Sequence, residues 1–141
     1  MDATQVRCAA APPARLSLTR PLSRSAGGGN YQLSLANGSL CATVFGTNPG
    51  TGAPNVGLQP CLPAASATTQ LFTPSAATIA GQFGTVVYNA TGACVEVPNW
   101  QTSNGIELWA CNGGTNQEWA WDAPTGHLLY ENVTDYCVGV C

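Results

Sequence analysis

A chain of 141 residues fits one domain and can bury about two-thirds of the surface its unfolded form exposes, so a hydrophobic core does not require a partner. Only 8% of the residues are charged, lysine is absent and the formal net charge is −3, which disfavours a nucleic-acid partner and leaves Ser, Thr, Asn, Gln and Gly to keep the surface wet. That balance points to an extracellular protein, and no apolar run reaches the length of a membrane span.

The four arginines, Arg7, Arg15, Arg20 and Arg24, all lie near the N-terminus, whereas six of the seven acidic residues lie between Glu96 and Asp135. Two readings of the first 30 residues stay open. An Arg- and Ser-containing, acid-poor start resembles an organellar transit peptide. Against it, Pro12, Pro13 and Pro21 interrupt helical continuity, and Gln5-Val6-Arg7-Cys8 and Leu16-Ser17-Leu18 pattern as strands. No signal peptide follows Met1-Asp2, so a secreted chain would be one portion of a longer protein.

From Tyr31 onward the chain repeats itself. An apolar strand (Tyr31-Gln32-Leu33-Ser34-Leu35) leads to a turn at Asn37, then Cys41, Val44, Cys61 and Gln70-Leu71-Phe72. The same order returns as Thr85-Val86-Val87-Tyr88, Asn89, Cys94, Val97, Cys111 and Gln117-Glu118-Trp119. It starts a third time at Leu128-Leu129-Tyr130, Asn132, Cys137 and Val140 before the chain stops. A period of about 40–50 residues marks a fold built from copies of one supersecondary unit. Helix signals are scarce and each unit offers about four short strands, so three units predict an all-β, twelve-stranded trefoil whose closure removes exposed edges. The units run over residues 31–86, 87–127, and 128–141 together with 1–30, the third being split between the termini of one domain spanning 1–141. Phe72 and Trp119, each two residues after a Gln, are the expected large core anchors.

The cysteines follow the repeat. Four at matching places predict bridges Cys41–Cys61 and Cys94–Cys111, and the split unit predicts Cys8–Cys137. The seventh, Cys141, is left over for a partner chain, a lost portion of a parent protein, or a free thiol. Zinc would need clustered Cys and His, and the chain has one histidine, His127, so no metal and no cofactor are expected. Asn37, Asn89 and Asn132 begin glycosylation sequons just ahead of the repeat cysteines, and Asn also suits the turns found there.

Taken together, these residues resemble the ricin B-type lectins, the Gln-x-Trp β-trefoil carbohydrate-binding modules. The resemblance is carried by Ala93-Cys94-Val95-Glu96-Val97, Asn104-Gly105-Ile106-Glu107-Leu108-Trp109 and Cys111-Asn112-Gly113-Gly114-Thr115-Asn116-Gln117-Glu118-Trp119. It implies binding of glycans, of galactose type or related, by a secreted module. Trp109 matches the position where a ring stacks on the apolar face of a pyranose, and Asn116 and Gln117 match the amide positions. Glu96 stands where the family usually has Asp, and Glu107 at a flanking position that is often Gln. Trp100 could extend the site. In the first unit Thr43, Gln59 and Thr69 replace the acid, the ring and the first amide; in the third, Gly139 and Val6 replace the acid and the ring. The resemblance therefore implies one competent site.

Two rival functions compete for the same residues. Acid catalysis by paired carboxylates could use Glu107 and Glu118 by residue type alone, and a serine triad would rest on His127 with no nucleophile motif nearby, so no enzyme is expected. A protein-interaction or structural module of a larger secreted protein is the stronger rival, because a fold does not fix a function.

Overall fold

The computed structural model describes residues 4–7, 16–19, 30–35, 39–100, 105–124, 127–130 and 133–139. Short runs of alternating or β-branched residues, most of them followed within a few positions by Gly, Pro or Asn, give twelve strands among them. In chain order these are β1 (Thr4–Arg7), β2 (Leu16–Thr19), β3 (Gln32–Leu35), β4 (Leu40–Thr47), β5 (Pro54–Pro60) and β6 (Phe72–Pro74). There follow β7 (Val86–Tyr88), β8 (Cys94–Glu96), β9 (Ile106–Trp109), β10 (Trp119–Asp122), β11 (His127–Tyr130) and β12 (Val133–Gly139). The one α-helical turn among the described residues, α1 (Ala76–Ile79), was not legible in the sequence; it is started by Ser75, whose Oγ accepts from the Thr78 N–H.

All strand pairs are antiparallel, in a four-stranded sheet ordered β1-β12-β11-β10 and an eight-stranded sheet ordered β2-β3-β4-β5-β9-β8-β7-β6. Single bridges Tyr31–Phe72 and Gly84–Trp119 connect the strand ends, the second tying one sheet to the other. The result is a strand-rich, nearly closed surface around one core.

Two kinds of antiparallel strand pair recur. In the first, β4 pairs with β5, β8 with β9 and β12 with β1, and a cysteine always stands at the same register point: Cys41 opposite Gln59, Cys94 opposite Trp109, Cys137 opposite Val6. In each case a second cysteine (Cys61, Cys111 and Cys8) stands two positions after the facing residue in the sequence. The disulfides Cys41–Cys61 and Cys94–Cys111 are formed as expected, with Cα separations of 4.9 and 5.1 Å. The expected Cys8–Cys137 bridge lies outside the described residues. So do Asn37 and Asn132, and Cys141.

In the second kind of pair β2 lies beside β3, β6 beside β7 and β10 beside β11, setting Leu16 opposite Leu35, Phe72 opposite Tyr88 and Trp119 opposite Tyr130. The two aromatic pairs are alike in geometry, with ring centroids 5.6 Å apart and planes tilted by 49° and 45°. Phe72 and Trp119 are fully buried, as their place after Gln predicts, and they pack with Leu58, Val86, Ile106 and Tyr130. The polar edge of Trp119 is satisfied inside the core, its Nε1–H donating to Val95 O at 2.9 Å.

Candidate functional site

Strand alternation decides which side chains can meet. Glu107 and Trp109 are two apart on β9 and so share a face, and Glu96 on β8 stands directly opposite Glu107. At the strand end the Trp109 ring is 46% exposed, while Glu96 and Glu107 are 5% and 1% exposed. These three line a cleft of about 250 Å³ together with Asn116. That is smaller than the roughly 300–1,000 Å³ of pockets for drug-sized ligands, and on the scale of a single sugar ring.

Asn116 and Gln117 arrive on a 3₁₀ turn, Thr115–Gln117, that follows the Gly113-Gly114 loop. A side chain at Gly114 would bring a Cβ to 2.6 Å from Asn116 Oδ1 and 2.9 Å from Asn112 Oδ1, so it would push both amides out of their present positions. Gln117 does not line the cleft. It is fully buried behind it and uses both ends of its amide. Its Nε2 donates to Glu96 Oε2 at 2.7 Å and to Ala110 O at 3.0 Å, while its Oε1 accepts from the Asn112 N–H at 2.9 Å. Asn116 Nδ2 donates to the same Glu96 oxygen at 3.2 Å and to Val97 O at 3.3 Å. Both amides thus hold Oε2, and Glu96 Oε1 has no hydrogen-bond partner among the described residues.

The first repeat has the same scaffold without the site. Gln70 Nε2 donates to Thr43 Oγ1 and Pro60 O, each at 2.9 Å, and its Oε1 accepts from the Leu62 N–H at 2.8 Å. Thr43 therefore occupies the place of Glu96, Gly57 opposite it the place of Glu107, and Gln59 the place of Trp109. A buried Gln that ties a strand to the loop after the next strand is a structural device common to both units, and the carboxylates and the ring are what the second unit adds.

Three cleft residues escaped the sequence reading. Thr51 comes from the first repeat: the β4–β5 hairpin tip closes through Asn48 N to Ala53 O and Gly52 N to Asn48 O, both 2.7 Å, and β5 pairs with β9 through Asn55 opposite Glu107. This delivers the Thr51 hydroxyl to Glu107 Oε2, to which it donates a hydrogen bond. No local signal could reveal a partner 56 residues away. Asn99 follows Pro98 in a left-handed conformation (φ 51°, ψ 29°), which Asn tolerates better than most residues. Asn112 sits in the quoted Asn112-Gly113-Gly114 run, and its Oδ1 accepts from the Gly114 N–H at 2.8 Å. The side chain of Trp100 lies outside the described set.

Burial pushes the Glu96 carboxyl above its ordinary range; the Gln117 hydrogen bond opposes this, the facing Glu107 adds to it, and the Asn116 hydrogen bond opposes it. A carboxyl raised in the folded state holds its proton more tightly there than in the unfolded chain. The stability it contributes is present below the unfolded value and is lost as pH rises through the folded one. Glu96→Gln keeps an acceptor for Gln117 and removes the charge. It should raise the thermal midpoint at neutral and alkaline pH, with the difference shrinking as pH falls and the Glu96 carboxyl of the parent takes up its proton. Thermal melts of both proteins as a function of pH check the sign.

Compared with known protein families, residues 29–141 match the ricin-type beta-trefoil lectin domain.

Proposed function

The chain belongs to the ricin-type β-trefoil lectin family, and on that footing we propose that it is a secreted, non-catalytic lectin that binds galactose-type or related sugars through one site, the cleft between β8 and β9. Family membership supports carbohydrate binding in general, and domains of this family are generally non-catalytic binding modules. The observation that carries the choice of site is the pairing of an exposed Trp109 ring with the buried Glu96 carboxylate on one face of the same hairpin. The ring covers the apolar face of a pyranose, and the carboxylate accepts from its hydroxyls through charge-assisted hydrogen bonds. Asn116 and Glu107 stand within the same cleft to complete the polar contacts. Gln117 acts one step back, orienting Glu96.

The third repeat is assembled from both termini in this reading. The support is the register: Val6 faces Cys137 on β1 and β12 as Trp109 faces Cys94, and Leu16 faces Leu35 as Trp119 faces Tyr130. With Val6 at the ring position and Gly139 at the acid position, that unit lacks both groups a sugar needs, and the first unit lacks them as well. One site per chain means monovalent binding, weak unless the domain is tethered in a larger protein or paired through Cys141. The two disulfides support secretion. Asn89 of the Asn-Ala-Thr sequon is exposed in the turn between β7 and β8, where a glycan could be attached.

Calorimetric titration with galactose, lactose and xylo-oligosaccharides tests the site. Saturation at one sugar per chain is expected, weakened about 10–100-fold in Trp109→Ala, the loss of one stacked ring. A folded protein that gives no heat with any of these sugars would favour the protein-interaction role instead.

A further inference from the structure

We infer that the cleft selects sugars carrying a free, protonated amine, so that its preferred ligand is a hexosamine unit rather than a neutral hexose. The inference rests on the lectin reading of this site and names its ligand class. Three observations carry it. The first is the placing of two carboxylates, Glu96 and Glu107, at one register point of an antiparallel pair, where side chains on the same face start about 4.5–5.5 Å apart. Like charges so placed repel, and both groups are at least nine-tenths buried, where water screens them least.

The second observation is that, among the described residues, the cleft supplies acceptors and amides but no cation. The residues that line it are a threonine, a tryptophan, three asparagines and the two glutamates. Lysine is absent from the chain, and no positive group among the described residues acts on Glu96. Neutral donors hold only part of the pair: Gln117 and Asn116 on Glu96 Oε2, Thr51 on Glu107 Oε2. Glu96 Oε1 and Glu107 Oε1 have no hydrogen-bond donor among the described residues. A neutral hydroxyl could donate one hydrogen to one of these oxygens. An ammonium group carries three donors and can serve both carboxylates at once, turning their repulsion into two charge-assisted bonds.

The third is the position of the ring. Trp109 follows Glu107 on the same face of β9 and is exposed at the mouth of the cleft. A pyranose stacked on it brings a ring substituent toward the carboxylates, and the indole face itself attracts a nearby cation. Burial, charge and stacking therefore favour the same ligand. Acetylation of the amine removes its charge and two of its donors, and should remove the preference.

The test is calorimetric titration at about pH 6, where the sugar amine is protonated, with galactosamine, N-acetylgalactosamine and galactose, and with the corresponding glucosamine set so that the result does not hang on one hydroxyl. The amine is expected to bind about ten-fold or more tighter than both its acetylated and its hydroxyl parent in at least one set. That ratio should shrink as salt is added and collapse toward one in Glu107→Gln, whose fold is checked by circular dichroism. Neutral sugars that bind as well as the amines would overturn the inference and leave the lectin reading intact. An amine preference that survives Glu107→Gln would overturn it too, by placing the cation elsewhere. If no sugar of either set nor of the galactose, lactose and xylo-oligosaccharide panel binds, both readings fail together.

Discussion

Trp119→Ala is expected to destabilise the protein by about 3–5 kcal/mol, the cost of emptying a buried aromatic site. The residue is fully buried, packs at a tilt against Tyr130 with ring centroids 5.6 Å apart, and bridges by its backbone to Gly84, with N–H to O and O to N–H distances of 2.7 and 3.0 Å. It lies where the strand ends of the two sheets are joined. A cavity there loosens both sheets, and a loss of this size takes a large share of the roughly 5–15 kcal/mol that holds a domain folded. Trp119→Phe should be far milder, because phenylalanine already fills the matching place in the first repeat as Phe72. It keeps a ring against Tyr130 and gives up the bond from Nε1 to Val95 O, leaving that carbonyl short of a partner at about 1–3 kcal/mol. Urea titrations of the three proteins followed by circular dichroism would rank them; equal midpoints for Trp119→Ala and the parent would show that the core does not depend on this anchor.

The repeat made the architecture readable. A cysteine and a Gln-x-aromatic step recurring at fixed offsets gave two disulfides, the burial of Phe72 and Trp119 and the strand-rich fold, because each of these follows from the unit and not from long-range detail. The helical turn Ala76–Ile79 was missed for the opposite reason. It belongs to one unit only, and four residues with a Ser cap are too short to show a helical period.

The site was legible where its residues are local to the second unit. Glu96, Trp109 and Asn116 line one cleft, and their spacing along the motif was enough to group them. Glu107 is a different matter: the sequence placed it at the flank, whereas strand register puts it face to face with Glu96 and buries it completely. Gln117 moved the other way, from a presumed ligand contact to a buried strut. Sequence spacing cannot separate these two amides, since adjacent residues on a 3₁₀ turn point in different directions and only the fold shows which direction is open. Thr51 was invisible because its role comes from the packing of one hairpin on another.

The equivalence of Gln117 and Gln70 permits a sharper test of what the second unit adds to a common frame. Each Gln is buried and joins a strand side chain, a carbonyl at the end of the next strand and a loop N–H; Gln70 also accepts from Gln32 Nε2 at 3.0 Å. Replacement by alanine strands these groups without partners and opens a cavity, so Gln117→Ala and Gln70→Ala should each lose about 2–4 kcal/mol of stability. Their effects on binding should part. Gln117→Ala releases the shorter of the two bonds on Glu96 Oε2 and the tether on the Asn112 loop, leaving the carboxylate free to turn, and sugar affinity should fall about ten-fold or more, because a contacting group is only as well placed as its support. Gln70→Ala disturbs Thr43 and Leu62, neither of which lines the cleft, and should bind sugar as the parent does. Measured under conditions where both variants remain folded, parallel losses of affinity would mean that binding follows global stability. A loss confined to Gln117→Ala would identify Gln117 as the residue that positions Glu96.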